Sequence, residues 1–167
     1  MQLDPDPTVF SFFALQNNSN AVQTFIIQVV LPIAAIGPPV SITGSIGGSA
    51  SDTNNNGVTL ASSGAAPIYR ALIDGVSVQT LLDSPQSFSA GAFGTAGFGP
   101  AAFGPTGLGQ AATTNIAIDV RFTLTPGDIA SFTAVFNVVP EPGTAILLGS
   151  GFVGLLAFAR RRAHRTA

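Results

Sequence analysis

Hydrophobic and polar positions alternate with a period of two along much of residues 8–139, the spacing of strands that bury one face. The cleanest stretch is "IAIDVRFTL", with Ile116, Ile118, Val120, Phe122 and Leu124 inward and Asp119, Arg121 and Thr123 outward. "IASFTAVFNVV" repeats the pattern with Phe132, Ala134, Phe136 and Val138, and "VQTFIIQVVL" with Phe25, Ile27, Val29 and Leu31. "VSITGSI" sets Val40, Ile42, Gly44 and Ile46 against Ser41, Thr43 and Ser45. "TVFSFFAL" supplies a further β-branched and aromatic run, and "QNNSNA" after it reads as a polar hairpin loop. Asp74-Gly75 separates two apolar runs; both places of a two-residue type I′ turn need positive φ, which Asp and Gly accept, so the pair predicts a hairpin. "TPGD" at 125–128 predicts another turn. Seven or eight short strands, with no amphipathic helix between them, predict an all-β antiparallel sandwich over residues 1–139.

One stretch resists this reading. In "FSAGAFGTAGFGPAAFGPTGLGQ", Phe88, Phe93, Phe98, Phe103 and Leu108 recur every five residues, which is neither the helical nor the strand period. A pentapeptide β-helix also has this period, but five units close barely one turn with no neighbour to bury it. The glycines and two prolines argue against a regular strand. Residues 88–110 are therefore expected to form a long inter-strand loop, from which deletion of residues 91–107 should leave stability nearly unchanged.

Composition narrows the function. Charged residues make up 8% of the chain, and lysine and cysteine are absent, so no disulfide framework or thiolate metal site can form. Residues 1–139 hold seven aspartates and two arginines, a net −5, a balance that excludes nucleic acid as a partner. The one histidine, His164, lies in the basic tail, so no ectodomain imidazole exists to activate a serine, and no catalytic residue or cofactor is expected. The chain reads as a non-enzyme.

"DTNNNG" opens like a calcium loop, with Asp52, Asn54 and Asn56 offering alternate oxygens and Gly57 the bend. The acid at position twelve is replaced by Ser63, and a type I′ turn at Asn56-Gly57 explains the same residues. Two readings stay open: a turn, or a weak Ca²⁺ site. Thr and Ser on strand faces suit polysaccharide or, less well, ice, without the regular T-x-T array or tryptophan such surfaces use. Asn17-Asn18-Ser19 fits a glycosylation sequon and is read as loop.

The C-terminus carries the most specific signal. Between Glu141 and Arg160 lie eighteen uncharged residues, about 27 Å as a helix, enough to cross a bilayer's hydrocarbon. Arg160, Arg161 and Arg162 follow directly and set the cytoplasmic side. The order V-P-E-P (Val139 to Pro142), Gly- and Leu-rich span, Arg cluster resembles the PEP-CTERM sorting signal, whose span would be 143–159 and basic tail 160–167. That resemblance implies a recognition motif at Pro140, Glu141 and Pro142, and exosortase, a membrane protease, as partner. It also implies a route through the inner membrane to the cell surface or exopolysaccharide matrix of a Gram-negative bacterium, where exopolysaccharide or surface proteins would be neighbours. Similar tails also carry the label of an ice-binding protein C-terminal domain. The strand pattern resembles the immunoglobulin-like ectodomains often set before such tails. Export also calls for a leader, and "MQLDPDPTVF" lacks the basic and apolar regions of one, so a segment before Met1 is expected.

Overall fold

The computed structural model describes residues 6–141 and places ten strands there: β1 (Thr8–Gln16), β2 (Gln23–Pro32), β3 (Val40–Ser51), β4 (Val58–Ala61), β5 (Tyr69–Ile73), β6 (Val76–Leu81), β7 (Ser87–Ala90), β8 (Thr95–Leu108), β9 (Asn115–Leu124) and β10 (Ile129–Pro140). They form two antiparallel sheets. One has the order β1-β10-β3-β8; in the other β9 is flanked by β2 on one edge and by both β5 and β4 on the other, followed by β6 and β7.

The pairing follows one rule. Thr8 faces Asn137, Gln23 faces Leu124, Val40 faces Leu108, Val58 faces Ala90 and Ile73 faces Val76. Partners thus close in together on Asp74-Gly75, the turn of a single long hairpin that is rolled up so that successive segments switch sheets. The predicted turn is there: Asp74 and Gly75 have φ of 51° and 79°. A rolled hairpin with this strand order has the connectivity of a jelly roll. It takes the place of the expected immunoglobulin-like order, in which strands A, B, E and D share a sheet. The local alternation predicts strands equally well in both folds, so only the pairing separates them.

Rolling also explains two misread loops. "QNNSNA" joins β1 to β2 in opposite sheets, so it is an arch and not a hairpin loop. Asn17 is buried within it: its Nδ2 donates to the carbonyls of Ala21 (2.8 Å) and Leu124 (2.9 Å), and its Oδ1 accepts from Ser19. The sequon asparagine is thereby consumed as structure. Asn56-Gly57 likewise joins strands of different sheets; positive φ falls at Asn55 and Gly57, so there is no type I′ turn at that pair.

The predicted inward faces form the core. Val40, Ile42, Ile46, Ile116, Ile118, Val120, Phe122, Leu124, Phe132, Ala134, Phe136 and Val138 are buried. Phe132 is its hub, with ring centroids 4.6 Å from Phe122 and 5.1 Å from both Phe13 and Phe98. Offset rings at such distances add attraction beyond the area they bury. Tyr69 is buried too, and its hydroxyl crosses between the sheets to donate to the Val135 carbonyl at 2.9 Å. Burial pushes its phenol well above the usual range.

The five-residue beat is a strand, not a loop. Residues 88–90 lie in β7 and 95–108 form β8, the longest strand described. Leu108, Phe103 and Phe98 stand opposite Val40, Gly44 and Gly48, so five residues on β8 match four on β3. The extra residue of each unit is absorbed by an irregularity at Gly99-Pro100 and at Gly104-Pro105, where both glycines have positive φ and both peptide bonds are cis. A β-bulge of this kind lets the strand keep pointing its Phe side chains inward despite the odd period. Proline is admissible because β8 is an edge strand.

No helix among the described residues is long and apolar enough to cross a membrane. The predicted span 143–159, Pro142 and the arginines 160–162 lie outside the described residues.

Candidate functional site

Three loops meet at one end of the sandwich: residues 52–57 after β3, residues 91–94 between β7 and β8, and the 125–128 turn between β9 and β10. Asp52 holds the first two together. Its Oδ2 accepts from the Phe93 N–H (2.6 Å) and its Oδ1 from the Asn54 N–H (3.2 Å), while its own N–H donates to the Gly94 carbonyl (2.9 Å). Asn54 then ties the loop to the third: its Nδ2 donates to the Pro126 carbonyl (2.8 Å), and its Oδ1 accepts from the Asn56 N–H (3.3 Å). The Thr53 hydroxyl adds a bond to the Gly127 carbonyl.

The expected calcium ligands therefore have other duties. Asp52 and Asn54 spend their oxygens on backbone amides, which is what Asx residues do when they shape a loop. Asn56 supplies a backbone N–H to that network and is exposed. Among the described residues no group of three His, Cys, Asp or Glu side chains is placed to hold a metal. The loop is shaped by these Asx-to-backbone bonds and not by the type I′ turn expected at Asn56-Gly57.

A residue outside the motif joins Asp52 instead. Asp128 is fully buried; its Oδ2 accepts from the Thr125 hydroxyl, and its Oδ1 receives no donor within hydrogen-bond geometry. Burial raises the Asp128 carboxyl above the ordinary range, and the adjoining Asp52 carboxylate raises it further against the Thr125 and Thr53 contacts. Burial works on Asp52 in the same sense, but the amides of Phe93, Asn54, Gly57 and Asn56 outweigh it and hold that carboxyl low. Two adjacent carboxyls with opposite shifts resolve into a carboxylate and an acid that keeps its proton to higher pH. No periodicity in the sequence could have linked Asp128 to Asp52, because the link exists only once β9, β10 and β3 are rolled together.

Asp74 and Asp119 are structural. Asp74, at the hairpin apex, accepts five hydrogen bonds: Oδ2 from the N–H and hydroxyl of Thr113 (2.9 and 2.7 Å), Oδ1 from the N–H and hydroxyl of Thr114 (both 2.7 Å) and from the Asn115 N–H (3.0 Å). Asp119 pairs with Arg70 across the β5–β9 ladder and is buried on the outer face of its sheet.

The sorting-motif residues sit at the opposite end. β10 starts beside the Asp52 loops, where Ile129 pairs with Ser51, and finishes where Pro140 pairs with Val40. Twelve residues at about 3.4 Å each separate the two ends by roughly 40 Å. Pro140 is still in the ladder, and the Glu141 N–H donates to the Pro39 carbonyl (3.1 Å), so the motif begins with no linker after the last strand. The carboxylate of Glu141 is exposed.

Comparison with known proteins bears on this end of the chain. Residues 138–162 match the PEP-CTERM protein-sorting motif, so the chain carries that signal at the place the V-P-E-P order marks. No curated protein matches the sequence. Among solved structures, that of infectious bursal disease virus, Gx strain, aligns at 10% identity over 80% of this chain and 32% of the viral one, with a TM-score of 0.29. The Gt strain gives 12% identity over 80% and 33%, with a TM-score of 0.25. The chain thus spans about a third of the length of either viral chain.

Proposed function

We propose that this chain is an exported surface or extracellular-matrix protein, held at the inner membrane by its C-terminal span until exosortase processes it. The observation that carries the reading is the sorting motif at residues 138–162, which supports exosortase-directed secretion. In this reading Pro140, Glu141 and Pro142 are what the protease recognises, 143–159 is the span, and Arg160–Arg162 stop the chain on the cytoplasmic side. The sandwich is the cargo and has no catalytic role. Because β10 runs from the Asp52 loops to Pro140, those loops lie at the end of the sandwich away from Pro140; exopolysaccharide or surface proteins are the neighbours this reading gives the cargo.

Fractionation of hosts with and without exosortase tests this, with the C-terminal mass followed in each. Loss of the tail and release to the surface in the first host only is the expected result. An intact, soluble cytoplasmic chain in both would refute it.

A further inference from the structure

The two long sides of the sandwich differ. On one side lie β8, β6 and β7. β8 carries Pro100 and Pro105 with a ladder irregularity at each, and β6 and β7 are only six and four residues long. Prolines, bulges and short strands are the devices by which natural sheets prevent edge pairing. On the other side β1 and β2 run nine and ten residues, each paired along one edge only among the described residues. Neither contains a charged residue, and proline appears only at the last position of β2. Their outward faces expose Phe10, Phe12, Ile26 and Val30, and the inward Phe25, Ile27, Val29 and Leu31 of β2 are only partly covered.

The two open edges are flush. Phe13 of β1 stacks on Phe132, Phe25 of β2 stacks on Phe122, and the Phe132 and Phe122 rings meet at a tilt, so β1 lies above β2 at the same margin. A twofold axis perpendicular to both sheets would therefore set β1 antiparallel to its twin and β2 antiparallel to its twin in one step. Strands about 30 Å long, in sheets about 10 Å apart with a side-chain layer on each outer face, offer roughly 600 Å² per copy, or about 1,200 Å² in all. That reaches the lower bound of specific interfaces. With no charge on either strand, two copies meet without like-charge repulsion.

We propose that the β1/β2 margin is a self-association surface, joining two copies of this chain edge to edge into a closed twofold dimer. The blocked β8 side is what closes it: an open edge finds a matching edge only on the same margin of another copy, so growth stops at two. Full overlap of the nine residues of β1 places Phe12 opposite its twin, on the outer face.

The absence of cysteine makes the test direct. In the full chain, solubilised in detergent, Phe12→Cys introduces a single thiol on an outward side chain that is 70% exposed, and Val76→Cys does the same on β6, at 61%. A short bis-maleimide should link Phe12→Cys into dimers at micromolar protein and leave Val76→Cys monomeric. Adding Ile26→Lys to Phe12→Cys should abolish the dimer band at an unchanged melting temperature. Absence of a Phe12→Cys dimer, equal linking of both thiols, ladders beyond the dimer in sedimentation, or a dimer band that survives Ile26→Lys would each overturn the proposal.

Discussion

Phe98 lays its ring against the backbone of Gly48. A Cβ at residue 48 would stand 2.7 Å from that ring and 2.1 Å from the Ser131 carbonyl oxygen, on the neighbouring strand. Both neighbours are fixed, one by the Phe132 ring packed against it and one by the β10–β3 ladder. Gly48→Ala is therefore expected to cost about 2–3 kcal/mol, the range of an overpacked core. Gly97→Ala, where an added Cβ meets nothing within 4 Å, should cost about 0.5 kcal/mol at most. Urea unfolding of the two variants measures the contrast.

The phenylalanines of the five-residue beat should separate by burial. Phe98 is 5% exposed and packs its ring at a tilt against those of Phe88 and Phe132, so Phe98→Ala should lose about 3 kcal/mol. Phe93 is 71% exposed on the turn before β8, and Phe93→Ser should leave the unfolding midpoint nearly unchanged. Equal costs would mean that β8 does not hold the register described. For the same reason deletion of residues 91–107 should unfold the domain, since it removes nearly the whole partner of β3.

Asp74 pins the chain just before β9. Burial alone would raise its carboxyl, but the Thr113 and Thr114 hydroxyls and the amides of Asn115 and Thr114 hold it well below the ordinary range. A carboxyl held low stabilises the fold above its unfolded value near 4, and that contribution is lost as pH falls further. Asp74→Ala should thus cost about 1–2 kcal/mol at pH 7, discounted for the exposure of the site. The gap to the wild type should narrow below about pH 4 in parallel unfolding curves. Asp74→Asn should not restore stability, because its NH₂ would face donors.

Asp128 should show the opposite slope. Its raised carboxyl stabilises the fold while protonated, and that contribution declines as pH rises from about 4 through its folded value. Asp128→Asn keeps a buried donor toward Asp52 and cannot ionise. Its melting temperature relative to wild type should therefore rise with pH across that window. A difference that stays flat with pH would show that the Asp128 carboxyl is not held above its ordinary range. Millimolar Ca²⁺ should leave both proteins' melting temperatures unchanged, as expected of a loop whose oxygens are spent on amides.

The sequence by itself determined the inward faces, because period-two alternation and burial are local: β3, β9 and β10 bury the residues their patterns select. It determined the Asp74-Gly75 turn through the φ those residues tolerate, and the sorting signal through an order of residues that needs no fold to be read. Which strand pairs with which was decided by tertiary structure. The same alternation serves an immunoglobulin-like or a rolled sheet, and the choice rests on contacts between distant residues such as Thr8 and Asn137. Tertiary structure also turned the Phe/Gly beat into β8, because only the facing Gly44 and Gly48 of β3 make room for rings spaced by five. It brought Asp128 to Asp52, and it left β1 and β2 as the open margin. An edge is a property of the sheet, not of the strand.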